Sequence, residues 1–229
     1  MDMLAAYVAS KPWVLRPNIV LVEGTTDEAL FQRADELSIQ AGGTLLGNEL
    51  SIVAAGQRDR GGTFGVAREL ITLRSMVPLV LDRQGRPAYR VIGLVDNDHA
   101  GRQIIKDVLK LDRAAAEFRD IVAMRPVSLN FASRFPADRK RESELANGPY
   151  RTLDWEIEDA VSARVIRLFE QRHSNLKPRK VRAADKTHHE FSKDGKTAFH
   201  RVAQAEATLD DLKEVVSIVA MIKAVMGLR

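Results

Sequence analysis

Two short apolar runs, about seventy residues apart, constrain this chain more than anything else in it: Ile19-Val20-Leu21-Val22 and Val91-Ile92-Gly93-Leu94-Val95. Each has the length and aliphatic character of a buried parallel strand. Each stops abruptly at carboxylates, Glu23-Gly24-Thr25-Thr26-Asp27 after the first and Asp96-Asn97-Asp98 after the second. A turn and a helical pattern follow both. In an open parallel sheet the loops after the strand carboxyl ends converge on one crevice, so neighbouring strands would bring Glu23, Asp96 and Asp98 together. Crowded carboxylates repel, and they are tolerated only when protonated or gathered round a cation. Oxygen-only ligands point to Mg²⁺ or Mn²⁺ rather than zinc, and a chain with no Cys offers no thiolate site.

The remaining pattern alternates strand and helix as a doubly wound sheet requires. Strands are expected at 19–22, 50–54, 89–95 and 120–124, and helices at 27–41, 65–76 and 100–111. In the first helix Ala29, Leu30, Ala34, Leu37 and Ala41 form an apolar stripe that ends at Gly42-Gly43. A hairpin turning at Gln84-Gly85 is expected between residues 79 and 89. Residues 131–152 read as a polar linker or loop. They divide a core at 1–130 from a mainly helical C-terminal extension at 153–229.

With 45% hydrophobic content, 229 residues can bury one sizeable core with an elaboration. No stretch reaches the roughly 18 apolar residues of a membrane span, and the N-terminus carries no leader pattern. The expectation is a cytoplasmic protein, which the absence of Cys suits. A net charge of +4 permits nucleic-acid binding through phosphates without demanding it.

Val22-Glu23-Gly24 and Asp96-Asn97-Asp98, in this order and each followed by a helical pattern, resemble the two motifs of the Toprim domain of topoisomerases, primases, OLD-family nucleases and small RNA-maturation nucleases. The likeness covers about residues 17–125. It implies a Rossmann-like α/β fold, a parallel sheet flanked by helices. It implies that Glu23 is a metal ligand or general acid/base and that Asp96 and Asp98 hold a divalent cation. OLD-type nucleases use a further acid four residues after the first glutamate, and Asp27 stands there. Two bland readings remain open: Thr25 to Glu28 fits a capping box, so Asp27 can favour a helix N-terminus, and Asp98 can cap the helix that starts near His99.

Other candidates lie downstream. Arg58 and Arg60, in the glycine-rich turn after the second strand, would contact a substrate phosphate or belong to a solvated connection. Leu153-Asp154-Trp155-Glu156-Ile157-Glu158-Asp159 alternates with period two and resembles a glutamate-bearing segment of OLD-like proteins. Glu156 or Glu158 would complete a site for two cations about 4 Å apart, or would form a solvated face. From His173 to Lys196 the chain has seven Lys or Arg against three Asp or Glu. Lys177, Arg179, Lys180 and Arg182 in this basic loop suit backbone contact with nucleic acid, or simple solvation. The Lys193-Asp194-Gly195-Lys196-Thr197 stretch is not a Walker motif, because Glu190 stands where its first glycine is needed. Lys196 matches the late catalytic lysine of OLD-type nucleases, with the role of steadying transition-state charge. His188 and His189, adjacent and expected to point apart, read as surface loop residues. A helix at 209–228, apolar nearly all round beyond Ser217 and Lys223, should be buried between elements or against another chain.

The expectation is therefore a Mg²⁺- or Mn²⁺-dependent Toprim endonuclease that hydrolyses phosphodiesters, with DNA slightly preferred over RNA. It is most like OLD-type antiphage defence effectors. Their ATPase is missing from this chain, which implies a separate ATPase subunit or none, and the terminal helix suits self-association. The alternatives are an RNA-directed enzyme cutting transfer or ribosomal RNA, and a non-catalytic Toprim binding or assembly subunit. A topoisomerase is disfavoured because the chain has only Tyr7, Tyr89 and Tyr150 and no tyrosine-bearing second module. A primase would need additional modules.

Overall fold

The computed structural model describes residues 2–56 and 61–228, so the Arg58 and Arg60 expectation lies outside the described residues. Helix α1 (Met3–Ala9) precedes β1 (Asn18–Val22), α2 (Thr25–Gln40), β2 (Leu50–Ala54), α3 (Gly62–Met76), β3 (Arg90–Val95), α4 (His99–Leu111) and β4 (Ile121–Ala123). Then come α5 (Pro136–Ala146), α6 (Ala163–Arg172), the strands β5 (Arg179–Ala183) and β6 (Lys186–Glu190), α7 (Lys193–Glu206) and α8 (Lys213–Met226).

The four strands β1 to β4 form one parallel sheet in the order β2-β1-β3-β4. Successive side chains on a strand face opposite ways, and here both faces are apolar. Val20, Val22, Ile52, Ile92 and Leu94 pack beneath α2, α6, α7 and α8. Ile19, Leu21, Val53, Val91 and Val95 pack beneath α1, α3 and α4. That is why the sequence shows continuous apolar runs here, where a half-exposed sheet would alternate. Gly93 lets α3 lie directly on the middle of β3: a Cβ there would meet Val66 Cγ1 at 2.9 Å. The result is an α/β molecule with a parallel sheet flanked by helices. Among the described residues no helix is long and apolar enough to cross a membrane.

Several expectations need correction. The polar stretch within 131–152 carries α5, whose inward residues are Arg139 and Ser143 rather than an apolar stripe. The basic loop is an antiparallel hairpin pairing Arg179 with Glu190 and Ala183 with Lys186. Between residues 79 and 89 the chain does turn back on itself about Gln84-Gly85, but with one isolated antiparallel bridge, Leu81 to Pro87, in place of two paired strands. The turn between them is held by Asp82 accepting from the backbone N–H groups of Gln84 and Arg86. The apolar α8 is buried inside this chain, with Val215, Ile218, Val219, Met221, Ile222, Val225 and Met226 in the core. Of the two alternatives, burial between elements of the same chain is the one observed.

Candidate active site at the strand ends

β1 and β3 are neighbours, paired from Asn18↔Arg90 to Leu21↔Gly93, so both acidic loops leave the same edge. Glu23 Oε1 accepts the backbone N–H of Asp96 at 3.1 Å, tying one loop to the other. Asp27 sits in the first turn of α2, buried, with Oδ2 accepting from Gly24 N at 3.0 Å. The helix start is thus closed by Gly24 and Asp27 rather than by Thr25 and Glu28, and Glu28 instead accepts from Ala54 N at 3.0 Å. Asp96 is buried and its Oδ1 has no hydrogen-bond partner. Asp98 is the N-cap of α4, accepting from Gly101 N at 2.7 Å. Gly101 is required by this tight entry, since a Cβ there would lie 1.9 Å from the Asp96 carbonyl oxygen.

The segment after α5 is delivered to the same edge by backbone pairing. Asn97 N donates to Trp155 O at 2.8 Å, and Trp155 N donates to Asn97 O at 3.3 Å. Arg102 adds a clamp, reaching Asn97 O at 2.8 Å and Asp154 at 2.9 Å. Trp155 and Ile157 are buried as the period-two pattern predicts. The opposite face is not solvated, however: Glu158, in the 3-10 turn Ile157–Ala160, is 0% exposed.

What meets Glu158 comes from α7. Lys196 Nζ lies 3.2 Å from Glu158 Oε1 and 3.3 Å from Glu156 Oε2. His200 Nε2 lies 2.6 Å from the same Glu158 oxygen. Lys196 and His200, four residues apart, share one helix face. Gln204, one turn further, donates to Ala29 O of α2 at 2.7 Å and fixes that face over the site. His200 is the residue that sequence reasoning misses. Its signal is the four-residue spacing from Lys196 beside the apolar Phe199, Val202 and Ala203.

The electrostatics follow from burial and crowding. Burial, with Asp27 and Asp98 adding repulsion, pushes Glu23 up to about 7. Burial likewise raises Asp27, aided by Glu158, and raises Asp96 well above the usual carboxylate range, aided by Glu23. Burial also raises Glu156. Glu158 goes the other way: burial opposes its charge, but the His200 hydrogen bond and the Lys196 ammonium hold it down to about 2. Burial works against the Lys196 charge, yet Glu158, Asp96, Glu156 and Asp27 outweigh it and keep the ammonium protonated. A Lys196–Glu158 ion pair thus stands among acids too crowded to ionise together.

Among the described residues no three Asp, Glu or His side chains are arranged as a ready metal ligand set. In kind, the donors suit a hard divalent cation: all are oxygens, and Asp96 Oδ1 and Glu158 Oε2 are buried without partners. The structure therefore brings Glu23, Asp27, Asp96, Asp98, Glu156, Glu158 and Lys196 to one edge. Lys177, Arg179, Lys180 and Arg182 stand elsewhere, exposed on the hairpin and just before it. Lys180 is paired with Glu170 at 2.6 Å and Arg179 with Glu190 at 3.4 Å. His188 and His189 are not loop residues. Both sit on β6 and both rings reach Asp159, at 2.7 Å and 3.1 Å. No protein-family model, curated protein or solved structure matches the chain.

Proposed function

We propose that this chain is a metal-dependent nuclease of the Toprim type, acting on DNA in preference to RNA. The observation that carries the reading is the convergence of Glu23, Asp27 and Asp96 with Glu158 and Lys196 at the carboxyl ends of two adjacent parallel strands. Ligands in such sheets bind at this edge. Glu23, Asp27, Asp96, Asp98 and Glu158 would hold Mg²⁺ or Mn²⁺, with Glu156 available for a second ion. When bound, the cation would acidify water and offset charge on a phosphodiester. Lys196, kept charged by its acidic neighbours, would face the same phosphate. His200 orients Glu158. In this reading the chain works as a defence effector beside a separate ATPase subunit.

The test is cleavage of plasmid DNA, single-stranded DNA and bulk transfer RNA, with and without Mg²⁺ or Mn²⁺. Glu23→Gln and Asp96→Asn should each lower the rate by about a hundredfold or more. Metal-dependent cleavage that neither substitution changes would refute the assignment. Preferential loss of transfer RNA would make the enzyme RNA-directed. A second reading, a non-catalytic Toprim subunit, draws on the Lys196 ammonium, which pairs with Glu156 and Glu158 within the cluster. Absence of cleavage on every substrate would favour it.

A further inference from the structure

Behind the turn that carries Glu158 lies a cavity of about 630 Å³, within the roughly 300–1,000 Å³ of small-ligand pockets. One face of the β5–β6 hairpin roofs it. Lys180 and Arg182, two residues apart, share that face with their cross-strand partners His189 and Thr187. Arg167 of α6 and Lys213 at the start of α8 also line it, as do Asp159, Asp185, Asp211 and Glu214.

Most charges around this space are spoken for. Lys180 pairs with Glu170 at 2.6 Å and Lys186 with Glu214 at 2.7 Å, while Asp211 is held by Arg164. Asp159 is shared by the two histidines. Asp185 accepts from the Tyr150 hydroxyl and lies beside Lys186. Arg167, Arg182 and Lys213 are the lining cations for which the described residues supply no carboxylate, and with five Lys or Arg against four Asp or Glu in its lining the cavity carries a small positive excess. His189 engages Asp159 through Nδ1, which leaves its other ring nitrogen available. A smaller cavity of about 280 Å³ adjoins the first and shares Trp155, Ala160, Asp185, Lys186 and Glu214 with it. Unpaired cations and a free imidazole nitrogen around a space of this volume match a phosphate-bearing molecule.

We propose that this paired cavity is a binding site for a phosphate-bearing ligand of nucleotide size, either free or at the end of a nucleic-acid strand. The proposal goes beyond the nuclease reading and does not rest on it. The 3-10 turn Ile157–Ala160 carries Glu158 toward the acids and Asp159 toward the cavity. Occupancy is therefore positioned to bear on the first site.

Titration calorimetry of the full chain with ADP and with inorganic pyrophosphate, free of divalent cations, tests it. Saturable binding is expected for both. The exposed pair Arg167→Gln with Arg182→Gln should weaken it about tenfold or more, and Asp96→Asn should leave it unchanged. A 5′-phosphorylated hexanucleotide that displaces ADP would place a strand end in the cavity. One that does not compete would identify the ligand as a free nucleotide. No binding at millimolar ligand overturns the proposal. Unchanged binding by the double variant, with an unaltered circular dichroism spectrum, overturns it equally.

Discussion

At the scale of single residues, the acid cluster stands because one ammonium stands among it. Lys196 contacts Glu156 and Glu158 within 3.3 Å and is the shared counter-charge for Asp27 and Asp96. Removing one partner from a buried charged group costs about 3–5 kcal/mol, because the other charge is left unpaired. Lys196→Met should therefore lower stability by about 3 kcal/mol in metal-free urea titrations. If the acids bind Mg²⁺, adding it should recover more stability in the variant than in the parent chain. Equal responses would mean that the acids do not gather a cation. Gly101 makes a different demand. Its Cβ position lies 1.9 Å from Asp96 O, and overpacking commonly costs 1–3 kcal/mol. Gly101→Ala should cost about 3 kcal/mol in the same titration and displace the Asp96 loop. The motif acids were legible in the sequence because strand, carboxylate and turn are local. His200 was not, because its meaning depends on Glu158, forty-two residues away in sequence.

At the scale of elements, the sheet strands were readable because burial on both faces writes itself as unbroken aliphatic runs. Two of the elements that were missed, α5 and the β5–β6 hairpin, bury polar contacts instead. Helix α5 runs Pro136-Ala137-Asp138-Arg139-Lys140-Arg141, and its inward Arg139 donates to the carbonyls of Ser133, Phe118, Val225 and Ala224. The carbonyls of residues 224 and 225 belong to the last turn of α8, where a cation complements the helix dipole. A search for apolar periodicity cannot see such an interface. Arg139→Leu should remove about 2–4 kcal/mol, as carbonyls lose charged donors, and fraying of α8 would appear in hydrogen exchange. The hairpin was hidden for the same reason: His188 is its one buried residue among mostly charged neighbours. Burial works against protonation of His188, but its bond to Asp159 outweighs this and raises it above its ordinary 6.5. A raised folded value means the contribution is full below about pH 6.5 and fades as pH rises through the folded value. Relative to His188→Gln, the parent chain should lose melting-temperature advantage from near neutral pH upward. A constant difference between the two would show that His188 is not protonated in the hairpin.

At the scale of the whole molecule, the segment that completes the site also completes the core. One face of the sheet, with Val20, Val22, Ile92 and Leu94, is covered by α2 together with α6, α7 and α8, all but α2 from the last third of the chain. Helix α8 alone buries seven apolar side chains there. At about 1.5–3 kcal/mol for each fully buried side chain, that is roughly 10–20 kcal/mol. Such a contribution matches or exceeds the roughly 5–15 kcal/mol by which whole domains are stable. A chain ended after residue 152 should therefore fail to fold alone, although it retains every strand of the parallel sheet. Differential scanning calorimetry is the measurement. The intact chain should melt in one cooperative transition and the shortened chain should show none, because Glu158 and Lys196 reach the strand ends on the elements that seal the core. Two separate transitions in the intact chain, or a cooperative melt of the shortened one, would mean that the sheet is stable without them.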